Sequence, residues 1–434
     1  MKNTTIIFLC VGCIIGWGAF VLPQDVFLQK GLFESLIGLF LGGVAMCLIA
    51  TNYTFLLNFF RRNGGEFYFT LKALGRTHGF ICGWFLTLAY LCIIPLNATA
   101  LNVMIHSFGL GGGIILFNVS DTAIYLSDIL VSMLSIIVIG VINVLGIRAA
   151  FVLQKLLVVA LCGSVVVFFV IMSFDVQSLE NLNSYLSLDS LDIRSIMIVF
   201  SLTPWAYLGF ECAIQVIESI KYRKHLFNAF MYVSIWIGFL LYCLLIFITA
   251  FGISKPHILA PSWATYTSVS SFFGTFGGAI LGISVCGAIL SGINGFFIVT
   301  SKMLESLSIH HYLPQSLIKK NRFGVSYPIV CIVGFLSCLM VIFGRQSLLY
   351  IVDMACVGII VGFLYVSSIA FLFKKRHLGY FSLSSFLSVI LSIVFLLLEF
   401  LPFSPAALKL PSIIALVIWS GIGGIILYVL RQKM

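Results

Sequence analysis

Charge is what this sequence has little of. Of its 434 residues only 9% are Asp, Glu, Lys or Arg, while 61% are hydrophobic. Soluble domains carry about 25% charged residues. A water-facing surface cannot be built from so few charges, which excludes a soluble enzyme of any fold. The apolar excess equally excludes a disordered chain, and no stretch is left for a large extramembrane domain. Cysteine is missing from the polar gaps: all twelve, from Cys10 and Cys13 to Cys356, fall inside apolar runs. No disulfide framework is therefore expected, and small apolar packing is their default role. The seven His lack metal spacing; His310 and His311 are adjacent and cannot share one helical face. There is no Gly-x-x-x-x-Gly-Lys-[Ser/Thr] loop, no His-Glu-x-x-His pair and no Gly-x-Ser-x-Gly elbow. Neither a metal, a cofactor nor nucleotide-driven chemistry is expected.

What is present is a succession of long apolar runs. Each membrane helix needs about 20 apolar residues. Runs between charged or turn-rich gaps give twelve spans, centred near Ile15, Val44, Leu91, Ile137, Val165, Ala206, Leu240, Gly287, Gly334, Gly362, Leu391 and Val417. The first could pass for a signal peptide, but it lacks a small-residue cleavage site and continues through Pro23. The eighth runs on toward Lys302 and Glu305, as a tilted helix with an extension would.

The net charge of +10 is scattered through the short gaps, which argues against a nucleic-acid groove. Alternate gaps differ sharply. One set holds Lys2, Arg61, Arg62, Lys72, Arg76, Arg148, Lys155, Lys221, Arg223, Lys224, Lys302, Lys319, Lys320, Arg322, Lys374, Lys375, Arg376, Arg431 and Lys433. The other holds only Lys30, Arg194, Lys255, Arg345 and Lys409. The positive-inside rule then puts both termini in the cytoplasm. Asp121, Asp128, Asp175, Glu180, Asp189 and Asp192 fall in the outer gaps, mostly as solvated loop acids. Glu66 belongs to a basic inner loop, where an ion pair is the default expectation.

Interrupted helices are tolerated at membrane depth only where they line a cavity. Span one carries Gly16-Trp17-Gly18 and Pro23; span six carries Thr203-Pro204-Trp205-Ala206 and Gly209. They lie five spans apart, so the second block enters from the opposite side. This is the pattern of an inverted-repeat transporter with its site between the broken helices. The amides of Gly16, Trp17 and Gly18 suit a carboxylate, and the carbonyls from Thr203 to Ala206 an ammonium group. Tyr90 and Asn97, beside Pro95 in span three, are candidate pocket lining. Glu211 is an acid deep in a span, which is costly and usually functional. Asp25 is read as interfacial. Ser284 and Ser291, seven apart on one face, could offer oxygens to Na⁺, although small-residue packing is the better reading.

At these residues the sequence resembles the amino acid–polyamine–organocation (APC) superfamily of permeases over nearly the whole chain. Gly16-Trp17-Gly18-Ala19-Phe20-Val21-Leu22-Pro23 is similar to its first-helix Gly-x-Gly-[Ile/Val]-Phe-x-x-Pro. Gly64-Gly65-Glu66-Phe67-Tyr68, Asn143 to Arg148 with Gln154, Trp205 to Glu211, and Asn294-Gly295 with Lys302 and Leu313-Pro314 resemble its later motifs in order. Lys302 stands where Arg is usual.

The resemblance implies an all-α integral membrane protein of the leucine-transporter fold, with twelve helices. Residues 1–175 would form the first five-helix repeat and 193–373 its inverted partner, with two more helices in 380–430. It implies alternating access and substrates that are amino acids or related amines, in the plasma membrane. Trp205 would be a gate, as in the similar arginine/agmatine antiporters, and Glu211 a proton sensor. A Lys of some proton-coupled members is absent: Leu161 holds its place, and Lys155 lies elsewhere. That moves the expectation toward exchange, or toward H⁺ coupling through Glu211, with Na⁺ less favoured. Trp17 between the two glycines narrows the pocket toward small side chains. The competing readings are a polytopic enzyme, for which no constellation exists, and a channel, for which no filter segment is evident.

Overall fold

In the computed structural model the described residues are 4–119, 122–186, 191–219, 224–260, 263–402, 404 and 406–432. Lys2, Asp121, Asp189, Lys221, Arg223 and Lys433, which entered the charge pattern, lie outside them.

About 81% of the chain is helical. Long apolar runs have no other way to satisfy every amide away from water. The first run is broken: α1 (Thr5–Ile14) and α2 (Gly18–Leu22) are followed by a wide π turn (Pro23–Phe27) and α3 (Leu28–Lys30). The two halves bend by 49°. Next come α4 (Leu32–Leu57), the short α5 (Gly65–Leu74) and α6 (Arg76–Ser107). A small hairpin, β1 (Ile115–Val119) and β2 (Thr122–Tyr125), qualifies the all-α expectation. Then follow α7 (Leu126–Val144), α8 (Ile147–Met172) and the short α9 (Val176–Asn183). The run around Ala206 is divided into α10 (Ile193–Ser201), α11 (Thr203–Ala206) and α12 (Cys212–Gln215). The remainder is α13 (Lys224–Gly252), α14 (Ala264–Ile309), α15 (Tyr327–Val341), α16 (Gly344–His377), α17 (Leu383–Phe400) and α18 (Leu410–Gln432).

Among the described residues, nine helices are long and apolar enough to cross a membrane, or ten with the bent pair as one span. The span at Gly334 is the fifteen-residue α15, and that at Ala206 is the divided segment. The long eighth run is helical throughout, but α14 is two helices joined at Gly274, where φ is 63°.

Burial orders the bundle. The apolar window of α6 is 83% buried and that of α18 only 6%. A helix apolar all round belongs in the centre or against lipid, and these two take the two places. They still touch: Trp84 and Trp419 stack with centroids 4.2 Å apart. Polar side chains tie the centre together. Asn143 Nδ2 donates to Asn294 Oδ1 (3.0 Å), and Asn294 Nδ2 to Gln154 Oε1 (2.8 Å), so residues of two separate motifs link α7, α14 and α8. In an apolar surrounding such amide pairs serve as interhelical glue. The half-helix α2 is held by the start of α14: Trp263 Nε1 and Thr265 Oγ1 both donate to Phe20 O, at 3.0 and 2.8 Å.

Candidate functional site

The two broken runs meet. Gly209, in the unwound stretch after α11, has φ +120°. A Cβ there would stand 2.4 Å from Cys13 Cβ, at the end of α1. Glycine is required twice over, by the backbone angle and by the approach. Gly18 is the second close approach: a Cβ would lie 2.6 Å from the ring of Trp205. The sequence breaks both helices, and packing then presses the breaks against one another.

A cavity of about 80 Å³ lies at this junction. Gly16, Trp17 and Gly18 form one wall, Asn97 of α6 another, and Trp205 of α11 a third. Asn97 Oδ1 faces the Trp17 amide at 3.5 Å while its Nδ2 donates to Ile93 O (3.1 Å). Trp17 packs on Trp263, with centroids 4.8 Å apart. Gly16, Trp17, Gly18, Asn97 and Trp205 are therefore brought together.

The other sequence candidates lie elsewhere. Thr203, Pro204 and Ala206 are buried but do not line the cavity. Their carbonyls are less free than a helix break implies. Thr203 O accepts from the Tyr207 amide (2.9 Å), Trp205 O from the Leu208 amide (3.1 Å), and Ala206 O from the Tyr242 hydroxyl (3.0 Å). Thr203 Oγ1 is turned back to Phe200 O at 2.7 Å. Ser284 Oγ bonds Ser164 Oγ (2.5 Å) and Ser291 Oγ bonds Ala288 O (3.0 Å), so the two hydroxyls do not converge. Asp25 is exposed on the π turn.

Tyr90 belongs to a second polar centre. Its hydroxyl reaches Glu66 Oε1 at 3.4 Å, and the Tyr53 hydroxyl reaches the same oxygen at 2.9 Å. Gln215 Nε2 donates to Glu66 Oε2. Glu211, one helical turn before Gln215, accepts the Gly209 amide on Oε2 (3.0 Å); its Oε1 is buried without a partner among the described residues. Glu66 and Glu211 are both fully buried.

The ion pair expected for Glu66 is corrected by this arrangement. The ion pairs among the described residues are Arg62–Glu218, His106–Asp128 and Lys302–Glu305. The Gly64-Gly65 turn starts α5 inside the protein, so Glu66 points into the core instead of the basic loop. Burial pushes its carboxyl up to about 7, against the opposing pull of its hydrogen bonds from Tyr53, Tyr90 and Gln215.

Sequence reading missed most of the apolar wall, Tyr242 and Phe296 included, and its one charged member among the described residues. Arg345, assigned to an outer gap by its charge, lies at the start of α16 and lines the cavity. A lone Arg between two apolar runs is the signal that was available.

A search of the curated proteins gave no match to the chain. A family model described as amino acid permease matches residues 3–427.

Proposed function

The chain belongs to the amino acid permease family of the APC superfamily, and from that premise we propose that it is a secondary transporter working by alternating access. The family makes it a multi-pass membrane protein and a transporter of amino acids or related compounds. The finer reading rests on one observation above others: two broken helices touch at their breaks and leave a small cavity between them.

In this reading the nine long helices, the bent first run, the divided segment and α15 make twelve spans. Residues 1–175 and 193–373 are inverted five-span repeats, each opening with a broken helix; 380–430 adds two spans. Both termini are cytoplasmic and the bilayer is the plasma membrane. This assignment is supported by the charge bias of the gaps and by the place of each break at the head of its block.

A substrate carboxylate binds the peptide groups of Gly16, Trp17 and Gly18. The amino group lies toward the Trp205 side. The carbonyls of Thr203, Trp205 and Ala206 each already accept one bond and retain a second lone pair. Thr203, Pro204 and Ala206 therefore act by shaping the break, and Asn97 by holding the Trp17 amide. Trp205, over Gly18, is the gate. Tyr90 serves through the Glu66 centre. H⁺ is the favoured coupling ion: Glu211 is an acid beside the break with an unpartnered oxygen, whereas Ser284 and Ser291 offer no common oxygen cage.

Counterflow in proteoliposomes tests the transporter reading. Unlabelled amino acid inside should accelerate uptake of label, which a channel or an enzyme would not do. Glu211→Gln should flatten the pH profile of exchange while leaving the protein folded. An unchanged profile would remove Glu211 from coupling.

A further inference from the structure

Among the described residues lining the central cavity, Arg345 is the only one that carries a charge. Its Nη1 donates to Leu96 O (3.0 Å) and reaches Thr99 Oγ1 (3.4 Å), which ties the guanidinium to α6. None of the ion pairs among the described residues includes Arg345. Asp25 acts on it only from beyond ion-pair distance.

Arg345 also lines a wider pocket of about 590 Å³, shared with Thr99, Asn102 and His106. The acid of that pocket, Asp128, is already paired with His106 at 2.9 Å. The guanidinium thus stands between a vestibule and the cavity, held by one nitrogen, with no carboxylate bound to it.

A guanidinium stays protonated and presents a planar fork that fits a carboxylate in two-point fashion. Such charge-assisted bonds are the strong ones, and more so where water is excluded. The cavity is small, about 80 Å³, which favours a compact substrate over a long one. The glycine break already offers amides to one carboxylate.

We propose that Arg345 is a specificity-determining residue of this cavity and selects a small amino acid carrying a second carboxylate, of the size of aspartate. This deepens the transporter reading and rests on it. The peptide groups at Gly16 to Gly18 take the α-carboxylate, and Arg345 takes the side-chain carboxylate. Neutral amides of the same shape leave the guanidinium unmatched, and amines without a carboxylate meet a like charge.

The test uses the full chain in proteoliposomes. Labelled L-aspartate, L-asparagine, L-alanine and putrescine are exchanged against the same unlabelled compound inside. The expected result is aspartate exchange at least tenfold more efficient than asparagine exchange. Arg345→Gln should bring that ratio close to one. Arg345→Lys, which keeps the charge and loses the fork, should fall between them. The lysine variant also serves if the glutamine variant does not fold.

Wild-type exchange of alanine or putrescine without aspartate would overturn the proposal. An unchanged aspartate-to-asparagine ratio in Arg345→Gln would do the same. Equal rate losses in Arg345→Gln and Asp25→Asn at constant ratio would assign Arg345 to a gate instead. Exchange of none of the four compounds would likewise overturn the proposal, while counterflow of any other amino acid in the same vesicles would leave the transporter reading standing.

Discussion

The core holds two polar centres of opposite composition. The cavity between the broken helices has one cation and, among its described lining residues, no acid. The Glu66–Glu211 centre has two fully buried acids, and none of the ion pairs among the described residues includes either. The first opens onto free volume, with Arg345 held by one nitrogen. The second is closed, with Glu66 bonded through both oxygens to Tyr53, Tyr90 and Gln215. A charge with unused donors beside a cavity is arranged to meet a ligand. A carboxyl surrounded by donors and sealed from water is arranged to hold or release a proton. The contrast teaches that a lone charge next to an apolar run has no fixed meaning until its surroundings are known.

The seam between the centres is Gly209, whose neighbours are Cys13 on one side and Glu211 on the other. Gly209→Ala should give the largest effect. It forces a Cβ to 2.4 Å from Cys13 Cβ at φ +120°. Overpacking costs roughly 1–3 kcal/mol, and a left-handed backbone roughly 1–2 kcal/mol more for a residue with a Cβ. A drop of many degrees in the thermal unfolding midpoint of the detergent-solubilised protein is expected. An unshifted midpoint would mean that the two breaks do not touch.

The acid centre can be tested by a pair of variants. Glu66→Ala strips the acceptor from two hydroxyls and an amide, and each unsatisfied buried group costs about 1–3 kcal/mol. Glu66→Gln keeps the shape and most of the bonding, so its loss should be clearly smaller. The pH dependence has a definite sign. Glu66 is raised to about 7 from an ordinary value of 4.5. Between those values the folded chain binds the extra proton. Stability therefore falls as pH rises through this window, and ∂ΔG/∂pH is negative there. Unfolding midpoints measured from pH 5 to 8 should show this fall in the wild type, and Glu66→Gln should remove that contribution. Equal slopes in both would deny Glu66 the proton.

The smallest effect is expected at the cavity itself. Trp205→Ala removes a ring packed over Gly18 from a wall that is only partly buried. Exchange affinity should weaken by about tenfold, equivalent to about 1.4 kcal/mol, with little change in folded yield. Unaltered affinity and exchange rate would leave Trp205 without a gating part.

Much of this was written in the chain. Scarce charge and long apolar runs determined a membrane bundle, because buried amides without water must pair within helices. Gly16, Gly18, Pro204 and Gly209 marked where those helices break, since backbone preference is local. The motifs around them carried the family. Tertiary structure decided which way each side chain faces. It also decided what each depth meets: Tyr90 and Asn97 lie about two turns apart on one face of α6, yet one serves the acid centre and the other the cavity. Thr203 turned toward its own helix, Glu66 entered the core, and Arg345 left the outer gap for the cavity wall. Such outcomes depend on helix rotation and on partners distant in sequence. Hydropathy reports how apolar a segment is, and carries no term for what stands opposite each residue.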